Sequence, residues 1–295
     1  MKVVITGSES FIGKELERHF RAKKIDWVGI DKVRTEDAPH TVMDVRSPKI
    51  GEAIPQDADA LIHLAAISRD QDCRDIPYEV LDVNVMGTLN LIRAARAQRV
   101  RQFIFASSEW VYGEVANNAI QSEDQAIDAT RIQSLYALSK IVGEQSLRLT
   151  CQQGLCPVTI LRFGIVYGPR AGNWSAVESL FNAVKNQDVV SVGSLATARR
   201  FIHVSDIAEG ILHAIGRDGF EIFNLSGNTL ISLRDVIEQS AALLNRHPRI
   251  VEEKPQAISV RNPDNSRARK ILGWAPIVDL RAGLESLREV ANENP

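Results

Sequence analysis

Apolar residues along this chain fall into two alternating patterns. Short runs rich in β-branched residues predict strands at residues 2–6, 27–30, 60–64, 102–107 and 158–163. Between them, apolar positions recur every three or four residues and predict helices at 11–24, 77–98, 134–153 and 175–186. Several of the strands are apolar at consecutive positions, as expected for strands covered by helices on both faces. The alternation predicts an α/β fold with a doubly wound parallel sheet.

The regular alternation loosens after about residue 165, where shorter elements such as helices at 205–215 and 232–245 follow one another. We expect a main domain at 1–165 that also receives part of 195–225, and a smaller C-terminal α/β lobe formed mainly by 166–295. A chain of 295 residues is long enough for this arrangement.

Composition excludes several classes of function. Charged residues make up 24% of the chain and the formal net charge is −2, so neither nucleic acid nor an anionic membrane is an expected partner. No basic leader or long uncharged apolar run is present, and we expect a cytoplasmic protein. Three cysteines and six scattered histidines lack the spacing of a disulfide framework or a metal site, and neither is predicted.

The first predicted strand leads into Gly7-Ser8-Glu9-Ser10-Phe11-Ile12-Gly13 and then a helix, the context of a dinucleotide-binding fingerprint. Gly7 permits the tight turn and Gly13 allows close helix packing, while Phe11 and Ile12 open the helix whose N-terminus would face the pyrophosphate. Ser10 stands where the middle glycine is expected, and its side chain could either hinder the pyrophosphate or bind it. A P-loop fits less well, because it needs four residues between its glycines and Ser or Thr after the lysine.

Acidic residues follow the next strands. Asp31 lies at the end of the second strand, where a carboxylate can bind both ribose hydroxyls and repel a 2′-phosphate, so NAD is favoured over NADP. Arg34 could meet a 2′-phosphate, but a solvated loop charge is the better explanation for it. Asp44 and Val45, after the third strand, suit an adenine pocket. Together with the fingerprint, these residues predict a Rossmann fold that binds NAD.

Tyr136 and Lys140 are four residues apart, which places them on one face of a helix. A phenol normally titrates near ~10, so a nearby ammonium is needed to stabilise the phenolate and make tyrosine a useful base. Ser108 follows the strand at 102–107, at the sheet edge where doubly wound folds bind ligands. The spacing predicts a Ser-Tyr-Lys catalytic set, against the alternative of an amphipathic helix with a half-buried tyrosine and a solvated lysine.

Further motifs extend along almost the whole chain, and in this order they resemble the extended short-chain dehydrogenase/reductases, in particular the NAD-dependent sugar epimerase/dehydratase family. They are HLAA at 63–66, NVMGT at 84–88, SSEWVYG at 107–113, LRFGIVYGPR at 161–170, RRFIHVSD at 199–206 and DNSRA at 264–268, followed by LGW at 272–274.

The resemblance implies roles for individual residues. Ser108 would be the catalytic hydroxyl, Tyr136 the base, and Lys140 the residue that lowers the pKa of Tyr136 and binds the nicotinamide ribose. Cofactor contacts are implied for Leu64, Ala65, Ala66, Asn84 and Phe163. Substrate contacts are implied for Ser108, Glu109 and Arg199, the last with a substrate diphosphate.

These residues predict an NAD-dependent epimerase or oxidoreductase of a nucleotide-linked sugar. Family members often form homodimers, and we expect a homodimer in which the helices 77–98 and 134–153 pair across a two-fold axis. Two alternatives stay open: a ketoreductase or dehydrogenase of the same fold, and a non-catalytic dinucleotide-binding protein. Ile165 replaces an asparagine that touches substrate in many epimerases. Trp110 stands where dehydratases of the family carry a glutamate, and an indole N–H cannot act as a base, so we expect no dehydratase activity.

Overall fold

A computed structural model describes residues 1–34, 39–113, 119–172 and 175–290. The chain divides into two compact units. The first comprises Met1–Gly113, Ala126–Arg162 and Ala208–Phe223, and the second comprises Glu114–Gln125, Phe163–Ile207 and Asn224–Pro295.

The central sheet has seven strands in the order β11-β6-β5-β4-β1-β2-β3, with parallel pairing throughout β3, β2, β1, β4 and β5. This order reverses at β1, as in dinucleotide-binding folds, and the predicted doubly wound Rossmann sheet is confirmed. The strands are β1 Lys2–Thr6, β2 Asp26–Asp31, β3 His40–Val42, β4 Ala60–His63, β5 Phe103–Ser108, β6 Val158–Phe163 and β11 Phe220–Leu225.

The central strands of the sheet bury apolar side chains on both faces, which requires helices to cover them. All residues of β4, β5 and β6 are buried. The helices that begin in the first unit are α1 Phe11–Lys23, α2 Asp70–Cys73, α3 Pro77–Leu81, α4 Gly87–Ala97 and α5 Leu135–Gln152. None of the described helices combines the length and the apolar character needed to cross a bilayer.

The helix predicted over 77–98 is interrupted. A π-helical segment, Asp82–Met86, separates α3 from α4. Such segments widen a helix by one residue and frequently occur at functional sites. Here the segment contains Asn84, which is buried.

The second unit is built from short strands paired two by two: β7 with β10, β8 with β13, and β9 with β12. Its apolar core includes Phe181, Phe201 and Leu284. The elements assigned from the rest of the chain are β7 Val166–Tyr167, β8 Val189–Val192, β9 Ala198–Arg199, β10 Ile202–His203, β12 Ile231–Ser232, β13 Arg249–Glu252, α6 Ala176–Asn186, α7 Val204–His213, α8 Leu233–Leu244 and α9 Leu280–Val290.

A buried histidine lies at the end of β4. The ring of His63 is within hydrogen-bond distance of two hydroxyls, Thr6 Oγ1 at 2.8 Å from Nδ1 and Thr88 Oγ1 at 3.1 Å from Nε2. Burial is the main cause, with the charge of Lys140 second, of a pKa lowered from its ordinary value to about 3. The ring is therefore neutral at physiological pH.

The buried His63 predicts a specific acid sensitivity. Between about pH 6.5 and 3 the unfolded chain binds a proton that the folded chain does not, so the free energy of unfolding falls as pH decreases through this range. For one group the slope is up to about 1.4 kcal/mol per pH unit. Urea unfolding at several pH values should show a shallower slope for His63→Gln than for the wild type. His213→Gln, on the surface, is the control, and identical slopes for wild type and His63→Gln would contradict the account.

Candidate functional site

The turn after β1 has no room for side chains at its glycines. Gly7 has a φ of +73°, and a Cβ at this position would lie 2.6 Å from the backbone nitrogen of Ala65. A Cβ at Gly13 would collide with the carbonyl oxygen of Ser8. The close approach of β1, α1 and the loop after β4 therefore requires glycine at both ends of the fingerprint.

Ser10 caps α1. Its Oγ accepts a hydrogen bond from the backbone N–H of Gly13 at 3.1 Å, so the residue at the middle-glycine position serves the helix N-terminus. Phe11 and Ile12 begin the helix and are half-buried. The cap leaves the first N–H groups of α1 together beside the glycine turn, an arrangement suited to an anion.

Asp31 ends β2 next to this turn. Its two carboxylate oxygens accept hydrogen bonds from the backbone N–H groups of Glu9 and Val33, each at 3.0 Å. These bonds fix the orientation of the carboxylate beside the glycine turn. Asp44 is held by Arg46, whose hydrogen bonds are the largest cause of its lowered pKa, and the adjacent Val45 is buried.

A polar cluster supports the turn. The Nε2 atom of His40 lies 3.2 Å from both Glu9 Oε1 and Glu17 Oε1, and its Nδ1 lies 3.1 Å from Ser8 Oγ. The three elements that carry these residues, namely the glycine turn, α1 and β3, are thereby joined.

Leu64, Ala65 and Ala66 follow β4 and are half-buried beside Gly7. Asn84 holds the loop that they begin. Its amide group exchanges two hydrogen bonds with the backbone of Ile67, at 2.8 and 2.9 Å, and donates a third to Ser139 Oγ at 3.0 Å. Asn84 thus ties this loop to α5, the helix that carries Tyr136 and Lys140.

Ser108, Tyr136 and Lys140 come together at the carboxyl end of β5. The hydroxyl of Tyr136 shares a hydrogen bond with Ser108, and its ring packs against Cys73 and Val80. Lys140 donates to the carbonyl of Ala106 at 2.7 Å, and its Nζ is 5.6 Å from the centre of the Tyr136 ring. All three predicted catalytic side chains are buried.

Burial dominates the acid–base properties of the pair. It raises the pKa of Tyr136 above the usual range for a phenol, although the hydrogen bond with Ser108 acts in the opposite direction. This differs from the expected lowering of the pKa of Tyr136. Burial also lowers the pKa of Lys140 to about 8, with the charge of Glu144 opposing the shift. Each side chain is therefore pushed toward its neutral form.

The segment after Ser108 is helical and not extended. Residues Glu109–Tyr112 form a turn of 3₁₀-helix, because Ser108 Oγ accepts from the backbone N–H of Trp110 at 3.3 Å and caps it. Glu109 is fully buried, and Trp110 packs against the cluster that contains Tyr136. Strand alternation therefore does not determine where the Glu109 carboxylate points.

Sequence reasoning missed a buried ion pair in the first unit. Arg162 on β6 binds Glu144 on α5 through two hydrogen bonds, at 2.7 and 3.0 Å. The spacing could have indicated Glu144, because it lies four residues after Lys140 and therefore on the same helix face.

Two predicted residues belong to the second unit. Phe163 ends β6 and is buried. Arg199 on β9 donates to the carbonyl oxygens of Ala198 and Ser259, at 2.8 and 2.6 Å, and to Ser259 Oγ at 2.5 Å. Its guanidinium is thereby anchored to the segment around residue 259.

Comparison with known proteins places the chain in a family. The model of the NAD dependent epimerase/dehydratase family matches residues 3–226. A putative UDP-glucose 4-epimerase of Methanocaldococcus jannaschii is 28% identical, with 96% of each chain covered. A GDP-6-deoxy-D-mannose reductase of Pseudomonas aeruginosa is 25% identical, covering 97% of this chain and 95% of the relative. The solved structure of MoeE5 in complex with UDP-glucuronic acid and NAD is 26% identical, with full coverage of both chains and a TM-score of 0.88. The resemblance inferred from the motifs is confirmed, and the chain belongs to the NAD-dependent epimerase/dehydratase family.

Proposed function

We propose that this protein is an NAD-dependent enzyme that epimerises a nucleotide-linked sugar with Ser108, Tyr136 and Lys140. The observation that carries the proposal is the convergence of these three side chains at the carboxyl end of β5. Similarity to a UDP-glucose 4-epimerase and to a structure holding UDP-glucuronic acid and NAD supports a uridine diphosphate sugar as substrate.

The residues around the β1 turn fit NAD. Gly7 and Gly13 have no side chains that would keep a pyrophosphate away from the backbone, and the capped start of α1 would present N–H groups to it. Asp31 is oriented to accept from a ribose diol. Leu64, Ala65, Ala66, Lys140 and Phe163 would complete the site, with Asp44 and Val45 toward the adenine. NAD, when bound, accepts a hydride and returns it.

Tyr136 is the proton acceptor in this proposal. The sugar hydroxyl that is oxidised gives its proton to Tyr136, with Ser108 holding the same oxygen. Because burial raises the pKa of Tyr136, the phenolate needs a compensating positive charge, and Lys140 is the adjacent cation. Lys140 must stay protonated for this role, which its pKa of about 8 permits at neutral pH.

Arg199 would contact the diphosphate of the substrate, and the bonds to Ser259 would keep its guanidinium in place for that contact. Glu109, in the turn after Ser108, would lie toward the sugar. A reductase of similar fold and substrate class is the second candidate, because the Pseudomonas aeruginosa relative carries that activity in its name.

The surface of the first unit suggests a homodimer. Large apolar side chains are exposed along neighbouring helical segments, with Tyr78 83% exposed and Leu149 57% exposed. The other exposed large apolar side chains on these helical segments are Leu81, Met86, Leu89 and Leu138. Burying such side chains against a second copy would remove them from water.

We also place the enzyme in the cytoplasm, because its three free thiols suit a reducing compartment. Recovery of the protein from an oxidising compartment would argue against this location.

Product analysis tests the proposed reaction. Purified enzyme incubated with UDP-glucose or UDP-glucuronic acid, without added cofactor, should form the epimer at C4. Tyr136→Phe should lower turnover by about 10²- to 10⁴-fold while keeping the melting temperature, because the general base is lost. A 4-keto-6-deoxy product would contradict the expectation drawn from Trp110. Strict dependence on added NADH or NADPH would favour the reductase.

Cofactor selectivity tests the role of Asp31. Titration should show tighter binding of NAD than of NADP, because the carboxylate accepts from a ribose diol and repels a phosphate. Asp31→Asn should narrow the difference between the affinities for NAD and NADP, because it weakens the binding of NAD and removes the repulsion of the 2′-phosphate of NADP. Asp26→Asn, at the opposite and exposed end of β2, is the matched control. Equal or tighter binding of NADP by the wild type would overturn the assignment.

Light scattering after size exclusion tests the homodimer. The wild type should elute with twice the monomer mass, and Leu149→Glu together with Tyr78→Glu should shift the equilibrium toward monomer because charge would be placed in an apolar interface. A wild type that is only monomeric at assay concentration would refute the dimer.

A further inference from the structure

We propose that Glu144 is a positioning residue for the catalytic set, and that it acts by fixing α5 to the end of β5 through Ser107 and Arg162. The inference rests on the proposed function, because it assigns to Glu144 the alignment of Ser108, Tyr136 and Lys140. It concerns a residue that touches neither substrate nor cofactor in that proposal.

Helix geometry puts Glu144 in line with the catalytic pair. Tyr136, Lys140 and Glu144 follow one another at intervals of four residues on α5, so all three side chains project from one face. All three are buried. The same face therefore carries the proposed base, its ammonium partner and a carboxylate.

Glu144 binds the strands beside it. Its Oε1 accepts from Ser107 Oγ at 2.5 Å and from Arg162 Nε at 3.0 Å, and its Oε2 accepts from Arg162 Nη2 at 2.7 Å. The exposed fractions of the Glu144 and Arg162 side chains are 1% and 3%. One carboxylate thus links α5 to both β5 and β6.

These bonds hold both flanks of Ser108. Ser107 precedes it and is bound by Glu144. Tyr112, which ends the 3₁₀ turn capped by Ser108, accepts from Arg162 Nη1 at 2.9 Å and stacks with the guanidinium at 4.8 Å. A shift of the ion pair would therefore move the backbone on each side of the Ser108 hydroxyl.

Lys140 is held at the same place. It donates to the carbonyl of Ala106, the residue before Ser107. Between Lys140 and Glu144, Gly143 lets the helix touch the strand, since a Cβ there would lie 2.6 Å from Phe105 Cζ. The ammonium and the carboxylate of one helix turn therefore bind adjacent residues of β5.

The charges around Lys140 give Glu144 an electrostatic role as well. Tyr136 and Glu144 face it from α5, Cys73 from α2 and His63 from β4. Burial lowers the pKa of Lys140 to about 8, and Glu144 is the first of the charges that oppose this shift. Removing the carboxylate should let the ammonium lose its proton at lower pH.

Stability alone is a weak reason for such a pair. Replacing a buried ion pair with apolar residues of similar volume is often neutral or stabilising, whereas removing one partner leaves an uncompensated charge. The pair nevertheless sits at the point where α5 meets the end of β5. The location of the ion pair therefore supports a role in positioning the catalytic residues more than a role in stabilising the fold.

Glu144→Gln is the primary test. With UDP-glucose or UDP-glucuronic acid as substrate, kcat should fall by about 10²-fold, as expected when reacting groups are displaced by roughly 1 Å. The pH at which kcat declines on the alkaline side should move downward, because Lys140 loses its carboxylate neighbour. A purely structural role would leave this pH unchanged. Glu178→Gln, which breaks the ion pair of a buried glutamate with the half-buried Arg170 in the second unit, is the control and should keep the wild-type pH profile.

Two further variants keep the test decisive if Glu144→Gln unfolds. The double variant Glu144→Gln/Arg162→Met removes both charges and should fold, yet show the same lower kcat. Its pH profile should shift in the same direction as that of Glu144→Gln but by less, because Glu144 is the nearer charge and the loss of the Arg162 cation acts in the opposite direction. Ser107→Ala leaves the ion pair intact and should lower kcat without moving the pH profile. The proposal would be overturned by a wild-type kcat in both variants together with an unshifted pH profile in the double variant.

Cofactor binding separates this inference from the proposed function. In the proposal the affinity for NAD depends on Lys140 but not on any sugar, and it is measured by calorimetry at intervals of about one pH unit from pH 6 to 10. If the wild type converts no sugar nucleotide, the proposed function fails. A downward shift of the alkaline loss of NAD affinity in the double variant would still support a role for Glu144, and an unshifted loss would reject it.

Discussion

The attachment of helix α5 to the carboxyl end of β5 is the contact on which the candidate site depends. Lys140 binds the carbonyl of Ala106, Glu144 binds the hydroxyl of Ser107, and Tyr136 shares a hydrogen bond with Ser108. Three successive residues of the strand are thus matched by three side chains spaced four residues apart on the helix. The relative positions of the proposed catalytic side chains follow from these three contacts.

The same contact places ionisable groups where water cannot solvate them. Burial raises the pKa of Tyr136 and lowers that of Lys140, so each environment disfavours the charged form. A phenolate at Tyr136 and an ammonium at Lys140 compensate each other, which makes the charged pair easier to form than either ion alone. Glu144 and Arg162 add a second, internally neutral pair behind it.

Local sequence patterns were sufficient for the doubly wound parallel sheet, the glycine turn and the shared helix face of Tyr136 and Lys140. They were not used to identify Ser10 as the N-cap of α1, although the predicted helix start at residue 11 places a serine at that position. The 3₁₀ turn after Ser108 and the pairing of Glu144 with Arg162 also escaped them. The turn depends on a side-chain cap, and the ion pair joins residues 18 positions apart through the packing of a helix on a strand. Residues 119–125 join the second unit through contacts distant in sequence, such as those of Gln121 with Asn262.

Reduction of enzyme-bound nicotinamide by the sugar tests the central claim most directly. Enzyme loaded with NAD is mixed rapidly with excess UDP-glucose or UDP-glucuronic acid, and the ultraviolet absorbance of the reduced cofactor is followed in the wild type and in Tyr136→Phe. The account predicts a transient reduced cofactor in the wild type that is nearly abolished in the variant. Equal reduction in both proteins would show that Tyr136 does not take the proton and would contradict the account.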